Sequence, residues 1–266
     1  MNYETIVFEI ENGVARLTLN RPDKLNSFNV RMHLDIQHAL GEVEQEVEQN
    51  ETLRVLLITG SGRGFCAGQD LSDRALAPGE SIDLGASIQA YYAPLVRRLR
   101  SLPLPVVCAV NGVAAGAGAN LAFACDIVIA ARSASFIESF CKLGLIPDTG
   151  GTYFLPRLIG TARAMAMAML GEKISAERAA AWGLIWQCVD DADFSTAVDK
   201  LVAHLASAPT RGLARIKRAI YSSGEKLLDQ QLDLERDLMR ELGNSEDFRE
   251  GVTAFLEKRP PRFTGK

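Results

Sequence analysis

The chain has 266 residues, with 47% hydrophobic and 23% charged residues and a formal net charge of −4. That length can bury a sizeable core, the composition is that of a soluble globular chain, and the acidic balance gives no reason to expect nucleic acid or an anionic membrane as partner. No apolar run reaches membrane-spanning length, and "MNYETIVFEIENG" has no basic segment leading into an apolar one, so no signal peptide is expected and the cytoplasm is the expected location.

In chain order, "TIVFEIENGVARLTLN" holds two alternating runs around Asn12-Gly13 and predicts a β-hairpin. Met32, Ile36, Leu40 and Val43 then keep helical spacing. "LRVLLITG", "LPVVCAVNG" and "CDIVIAA" are short β-branched and leucine runs that read as buried strands. Strands alternate with helix-like segments to about residue 200, which is the pattern of an α/β core. From residue 205 the chain is rich in helix formers and has no strand-like run. There Ser245 suits an N-cap, Phe248, Val252, Phe255 and Leu256 keep helical spacing, and Pro260-Pro261 ends the helix. The expected division is a core over 1–204 and a helical oligomerisation region over 205–266. By spacing alone these helices serve equally well as packing on their own core.

Five widely separated cysteines (Cys66, Cys108, Cys125, Cys141 and Cys188) argue against a disulfide framework or a zinc site. The three histidines, His33, His38 and His204, form no recognisable Cys/His or Ser/His motif, and HExxH is absent. Two glycine-rich loops follow predicted strands: "LLITGSGRGFCAGQDL" at 56–71 and "VVCAVNGVAAGAGANLAFACD" at 106–126. The dinucleotide fingerprint fails because Leu121 occupies its third glycine position, and no GxxxxGK[ST] occurs. What remains is close backbone approach and a helix start whose free N–H groups suit an anion or a developing oxyanion.

"LNRPDKLNSF", "GRGFCAGQDL", "VNGVAAGAGANLAFACDIVIAA", "GLIPDTGGTYFLPRLIG" and "AAAWGLI" occur in the order and spacing of one family. Across essentially its whole length the sequence resembles the crotonase (enoyl-CoA hydratase/isomerase) superfamily. "SFN", "LVRRL", "LGLIPD", "QLDLERD" and the C-terminal "REGV" to "FTGK" narrow the likeness to its phenylacetate-degradation isomerases. The resemblance implies an α/β fold, a spiral of ββα turns with a C-terminal helical trimerisation region, assembled as trimers or as hexamers made of two trimers. It also implies acyl-CoA thioester substrates, with CoA as part of the substrate and no separate cofactor or metal. The family's oxyanion hole falls on the backbone N–H groups of Gln69 and Ala117, with Ala67 and Leu71 beside them in the substrate site.

The sequence departs from the family's hydratases at both glutamate positions, which are Asn120 and Phe140 here. Two-glutamate water addition is therefore not expected. Asp148 lies in Pro-Asp-Thr-Gly-Gly, which alone reads as turn chemistry. The family's isomerases keep an aspartate there beside the acyl group, so the resemblance makes Asp148 the acid/base, a lone carboxylate among apolar walls. Glu138 reads as an ordinary surface glutamate, unless strand alternation turns it to the same cavity as a rival acid. Asn120 reads equally as a pocket donor or a helix cap. Asp70 borders the substrate site and reads as a loop-holding residue.

By the same resemblance Lys24 and Leu25 border the CoA nucleotide. Phe255 and Lys258 are lent across a subunit interface to the adenine and phosphates. The expected reaction opens the ring epoxide of an arylacetyl-CoA to the seven-membered oxepin. The alternatives are a Δ3,Δ2-enoyl-CoA isomerase or a hydratase of linear acyl-CoA, and a CoA- or RNA-binding scaffold without turnover. Association with other enzymes of phenylacetate breakdown is a further expectation, with no nucleic-acid or membrane partner.

Overall fold

The computed structural model describes residues 3–50, 52–74 and 82–266, and opens on the expected hairpin. Asn12 and Gly13 both take positive φ (52° and 77°), the geometry that joins β1 (Ile6–Glu11) to β2 (Val14–Leu19) without splaying them. Helix α1 (Val30–Gln49) starts at Asn29, whose side chain accepts from the Met32 N–H at 2.9 Å. Its predicted stripe of Met32, Ile36, Leu40 and Val43 is buried against the hairpin and its neighbours.

From there each turn of chain gives one strand to each of two sheets and then a helix. β3 (Val55–Gly60) and β4 (Gly64–Cys66) precede α2 (Leu84–Ser87), a π turn at Ile88–Tyr92 and α3 (Ala93–Ser101). β5 (Val106–Val110) and β6 (Val113–Ala115) precede α4 (Ala117–Ala124). β7 (Ile127–Ala131) and β8 (Ser135–Ile137) precede α5 (Gly151–Leu170), which is broken at Gly160. β9 (Lys173–Ser175), α6 (Ala176–Trp182) and β10 (Gln187–Val189) complete the spiral. The larger sheet runs β1-β2-β3-β5-β7-β10 and the smaller β4-β6-β8-β9. Beyond the hairpin the larger sheet is parallel throughout. All five β5 residues are buried, which explains why that strand reads as an unbroken apolar run rather than an alternation.

The last helices are α7 (Phe194–Ala206), α8 (Thr210–Ser223), α9 (Leu228–Leu242) and α10 (Glu246–Glu257). α8 is tied to the core by Lys217, whose ammonium donates to the Leu99 carbonyl at 2.8 Å and pairs with Asp126 at 2.9 Å. α10 starts where expected: Ser245 Oγ accepts from the Phe248 N–H at 3.1 Å. The chain then folds back beneath Arg54, whose guanidinium donates to the carbonyls of Phe263, Thr264, Ala206 and Ala208. Asp247 holds the Thr264 and Gly265 N–H groups at 2.7 and 2.8 Å. The apolar faces of α9 and α10 remain uncovered in the single chain: Met239, Phe255 and Leu256 are 69%, 83% and 73% exposed. Among the described residues, no helix is long and apolar enough to cross a membrane, and no group of three or more His, Cys, Asp or Glu side chains is placed to hold a metal.

Candidate active site

The two glycine-rich loops meet. The segment after β4 turns at Gly68, with φ 88°, and a Cβ there would lie 2.7 Å from the Ala115 carbonyl and 3.4 Å from the Ala117 nitrogen. Only a glycine lets the first loop touch the second so closely. Gly118 plays the matching part on α4, where a Cβ would lie 2.3 Å from the Cys66 carbonyl. The backbones carrying Gln69 and Ala117 are thereby brought to one place. Ala117 is the first residue of α4, where a backbone N–H has no acceptor within the helix.

The "RPDKLN" stretch braces this arrangement. Leu25 takes a left-handed conformation (φ 48°) and its carbonyl accepts from the Ala67 N–H at 2.9 Å. Asn26, fully buried, accepts from the Arg21 N–H and donates to the Ser61 and Gly64 carbonyls. Phe28 pairs across to Gln69 as an isolated parallel bridge, with Phe28 N–H donating to Gly68 and Asp70 N–H donating to Phe28. The Gln69 side chain donates to the Phe28 and Asp70 carbonyls and accepts from the Tyr92 hydroxyl at 2.7 Å, so it is held back against the wall.

Ala67, Gln69, Leu71, Ala117, Phe140 and Asp148 line one cavity of about 530 Å³. Its walls also carry Tyr92 and Ile88 from the π turn, a local widening of helix that recurs at functional sites. At its mouth Leu143, Leu145 and Ile146 are exposed. Among the described residues Asp148 is the one carboxylate in this lining. It follows Pro147 and precedes Thr149 and Gly150, which have φ of 51° and 83°. A β-branched residue in that region is strained, and the Thr149 hydroxyl donates to Asp148 Oδ1 at 2.8 Å. Asp148 is partly exposed to the cavity rather than sealed in apolar surroundings.

Other candidates sit elsewhere. Asp70 does not line the cavity: its carboxylate pairs with Arg21 at 2.9 Å and accepts from the Ser72 hydroxyl at 2.6 Å, which holds the loop and keeps the acid ionised. Lys24 is exposed and Leu25 half-buried beside the first glycine loop, outside the lining. Phe255 and Lys258 are exposed at α10 and its C-terminal cap, outside the lining. Asn120 neither lines the cavity nor caps a helix. It is fully buried within α4, and its amide donates to the Asp148 carbonyl at 2.9 Å.

Glu138 corrects the reading as a surface residue. It is fully buried, behind the lining, with Oε2 3.4 Å from the Asn120 amide nitrogen. Burial pushes its carboxyl up to about 8; the Asn120 amide opposes that rise and the Asp148 charge adds to it. Asp148 is therefore not alone, because a second carboxyl lies within electrostatic reach. The sequence carried a signal for this. Phe136 and Glu138 are buried on either side of the half-buried Ile137, so the alternation of β8 carries one residue past the strand, to Glu138, before a 3-10 turn takes over at Ser139–Leu143.

The family profile described as "Enoyl-CoA hydratase/isomerase" matches residues 9–266. The chain is 58% identical over 264 residues to the 1,2-epoxyphenylacetyl-CoA isomerase of Escherichia coli K12, covering 99% of each. It is 50% identical over 266 residues to a probable enoyl-CoA hydratase of Rhodobacter capsulatus, covering all of both. Its structure superposes on the crystal structure of an enoyl-CoA hydratase subunit I from Geobacillus kaustophilus HTA426 with a TM-score of 0.89 at 34% identity, over 99% of each chain. With the two-sheet spiral and the paired glycine loops already in place, the chain belongs to the enoyl-CoA hydratase/isomerase family.

Proposed function

We propose that the protein is an isomerase of acyl-CoA thioesters that converts ring-1,2-epoxyphenylacetyl-CoA to its oxepin isomer. The observation that carries this reading is Asp148, the single carboxylate among the described lining residues, in one cavity with Gln69 and Ala117, while the family's two hydratase acid positions hold Asn120 and Phe140. The 58% identity to the Escherichia coli isomerase over nearly the whole of both chains supports the substrate assignment.

In this reading the thioester carbonyl oxygen sits between the N–H groups of Gln69 and Ala117. Those donors stabilise charge on the oxygen as the carbon beside the carbonyl loses its proton, and one such donor is worth about 10²–10³ in rate. Asp148 takes that proton and returns it along the conjugated system as the epoxide opens and the ring expands. Substrate and product are isomers, so no proton or electron is gained or lost. Tyr92 and Phe140 give the ring apolar walls, and about 530 Å³ suits a group of that size.

Residues 205–266 are assigned to assembly as a trimer or a pair of trimers, supported by the uncovered apolar faces of α9 and α10. Phe255 and Lys258 would then reach the CoA of a neighbouring copy, with Lys24 and Leu25 near it from within the chain. CoA is substrate, no further cofactor is assigned, and the location is assigned as cytoplasmic. A second reading, migration of a 3,4 double bond to the 2,3 position in linear acyl-CoA, is favoured by the same one-acid geometry, since Asp148 alone can take the C2 proton and return it at C4. Turnover of the ring-epoxide thioester and of a linear 3-enoyl-CoA, compared by kcat/KM, tests the assignment. Activity on the linear substrate with none on the epoxide would overturn it.

A further inference from the structure

Glu138 is a fully buried acid with one orphaned oxygen. Its Oε1 has no hydrogen-bond partner among the described residues, and neither has Asn120 Oδ1. Its Oε2 shares the Asn120 amide with the carbonyl of Asp148, at 3.4 and 2.9 Å. The Asp148 carbonyl also accepts from the Gly151 N–H at 2.8 Å, and a Cβ on Gly151 would lie 2.5 Å from the Asn120 amide nitrogen. The acid, the amide and the Asp148 turn are thus packed as one unit behind the cavity wall.

We propose that Glu138 is a positioning acid that works in its protonated form: with Asn120 it holds the Asp148 turn in place from behind, and its ionisation places a second negative charge behind the site and stops turnover. The proposal rests on Asp148 as the proton carrier. A buried carboxyl with an unpartnered oxygen is costly as an anion, and a proton supplies the donor that Oε1 lacks. The charge that reaches it is that of Asp148, from the turn before α5. From α4 it meets the uncharged Asn120, and the following turn brings Cys141 Sγ to 4.0 Å from its backbone carbonyl, with the Lys142 side chain exposed to solvent. Among the described residues no cation neutralises it, so burial holds its ionisation up at about pH 8. Above that pH an anionic Glu138 would face the Asp148 carboxylate before the proton moves and the enolate after it has moved.

Infrared difference spectra and pH–rate profiles test this on the full-length protein. The wild type should show a protonated carboxyl band at neutral pH that titrates away near pH 8 and is missing from Glu138→Gln. In Asp148→Asn the band should titrate at lower pH, whatever the activity, because the neighbouring charge is gone. Wild-type kcat should fall above pH 8 by about tenfold per unit. Glu138→Gln, a neutral stand-in for the protonated acid, should keep kcat and KM near the wild-type values at neutral pH, and should lose that alkaline fall. A wild type without the neutral-pH band overturns the proposal, and so does an alkaline fall that persists in Glu138→Gln. An Asp148→Asn variant with normal turnover overturns the Asp148 reading, and the proposal with it, even with the band in place.

Discussion

The amide of Asn120 donates to the carbonyl of Asp148 at 2.9 Å, so the candidate acid is held from helix α4, the same helix whose first residue, Ala117, carries one of the candidate oxyanion donors. One rigid element therefore sets the distance between the proton carrier and the charge it creates. Asn120→Ala removes the tie and leaves a buried carbonyl with one donor fewer, a loss worth about 1–3 kcal/mol. The melting temperature should drop and kcat should fall, while CoA-thioester KM stays near the wild-type value. A stability loss with unchanged kcat would show that the tie does not position Asp148.

The oxyanion assignment separates backbone from side chain. Proline is tolerated at the first position of a helix, so Ala117→Pro removes the N–H with little damage to α4. It should cost about 10²–10³ in kcat. Ala117→Gly keeps the N–H and should stay close to wild type. Equal damage from both, with both proteins folded by circular dichroism, would place the hole elsewhere.

Glu138 also makes a prediction about stability. Its ionisation moves from 4.5 up to about 8 in the folded state, so between those values the folded chain binds a proton that the unfolded chain has lost. Stability from this group is full below pH 4.5 and fades as pH rises through 8. The swing is on the order of a few kcal/mol. In Glu138→Gln, urea unfolding across that window should show a smaller decline with pH than in the wild type. Parallel curves for the two proteins would mean that Glu138 folds already ionised.

Phe255 and Leu256 stand out from α10 at 83% and 73% exposed, so replacing both by Asp should leave the single chain folded. If these faces meet another copy, the double variant should sediment as a smaller species and bind CoA-thioester more weakly. An unchanged assembly with full affinity would remove α10 from both roles.

Legibility of the sequence followed the range of the forces involved. The hairpin at Asn12-Gly13, the α1 stripe and the Ser245 cap depend on neighbours within a few residues, and each stands where local chemistry places it. The cavity wall around Asp148 was reached through family likeness, since Pro-Asp-Thr-Gly-Gly by itself describes a turn, and a turn is also what the structure contains. Glu138 was misread because burial is a long-range property. α4 and the turn before α5 close over it from 18 and 10 residues away along the chain. Asn120 shows the converse: its neighbours announce a buried helix, but its partner is a carbonyl on a separate turn, 28 residues further on.

Asp148→Asn decides the central assignment. The amide keeps the shape of the side chain and can still meet the Thr149 hydroxyl, which lies 2.8 Å from Oδ1, so the strained Thr149-Gly150 turn should survive. What it cannot do is accept a proton from the carbon beside the thioester. Turnover should fall by about 10²–10⁴-fold, the span usual for loss of a general acid–base. CoA-thioester affinity should hold, because the candidate oxyanion donors and the proposed CoA contacts are separate residues. Deuterium exchange gives the sharper readout. The wild type in heavy water should wash deuterium into the carbon next to the carbonyl, and Asp148→Asn should not, even where the substrate is bound. Glu138→Gln keeps Asp148 and should still exchange. If Asp148→Asn exchanges at the wild-type rate while Glu138→Gln does not, the proton moves through the buried glutamate, and Asp148 is only the turn residue that its neighbours describe.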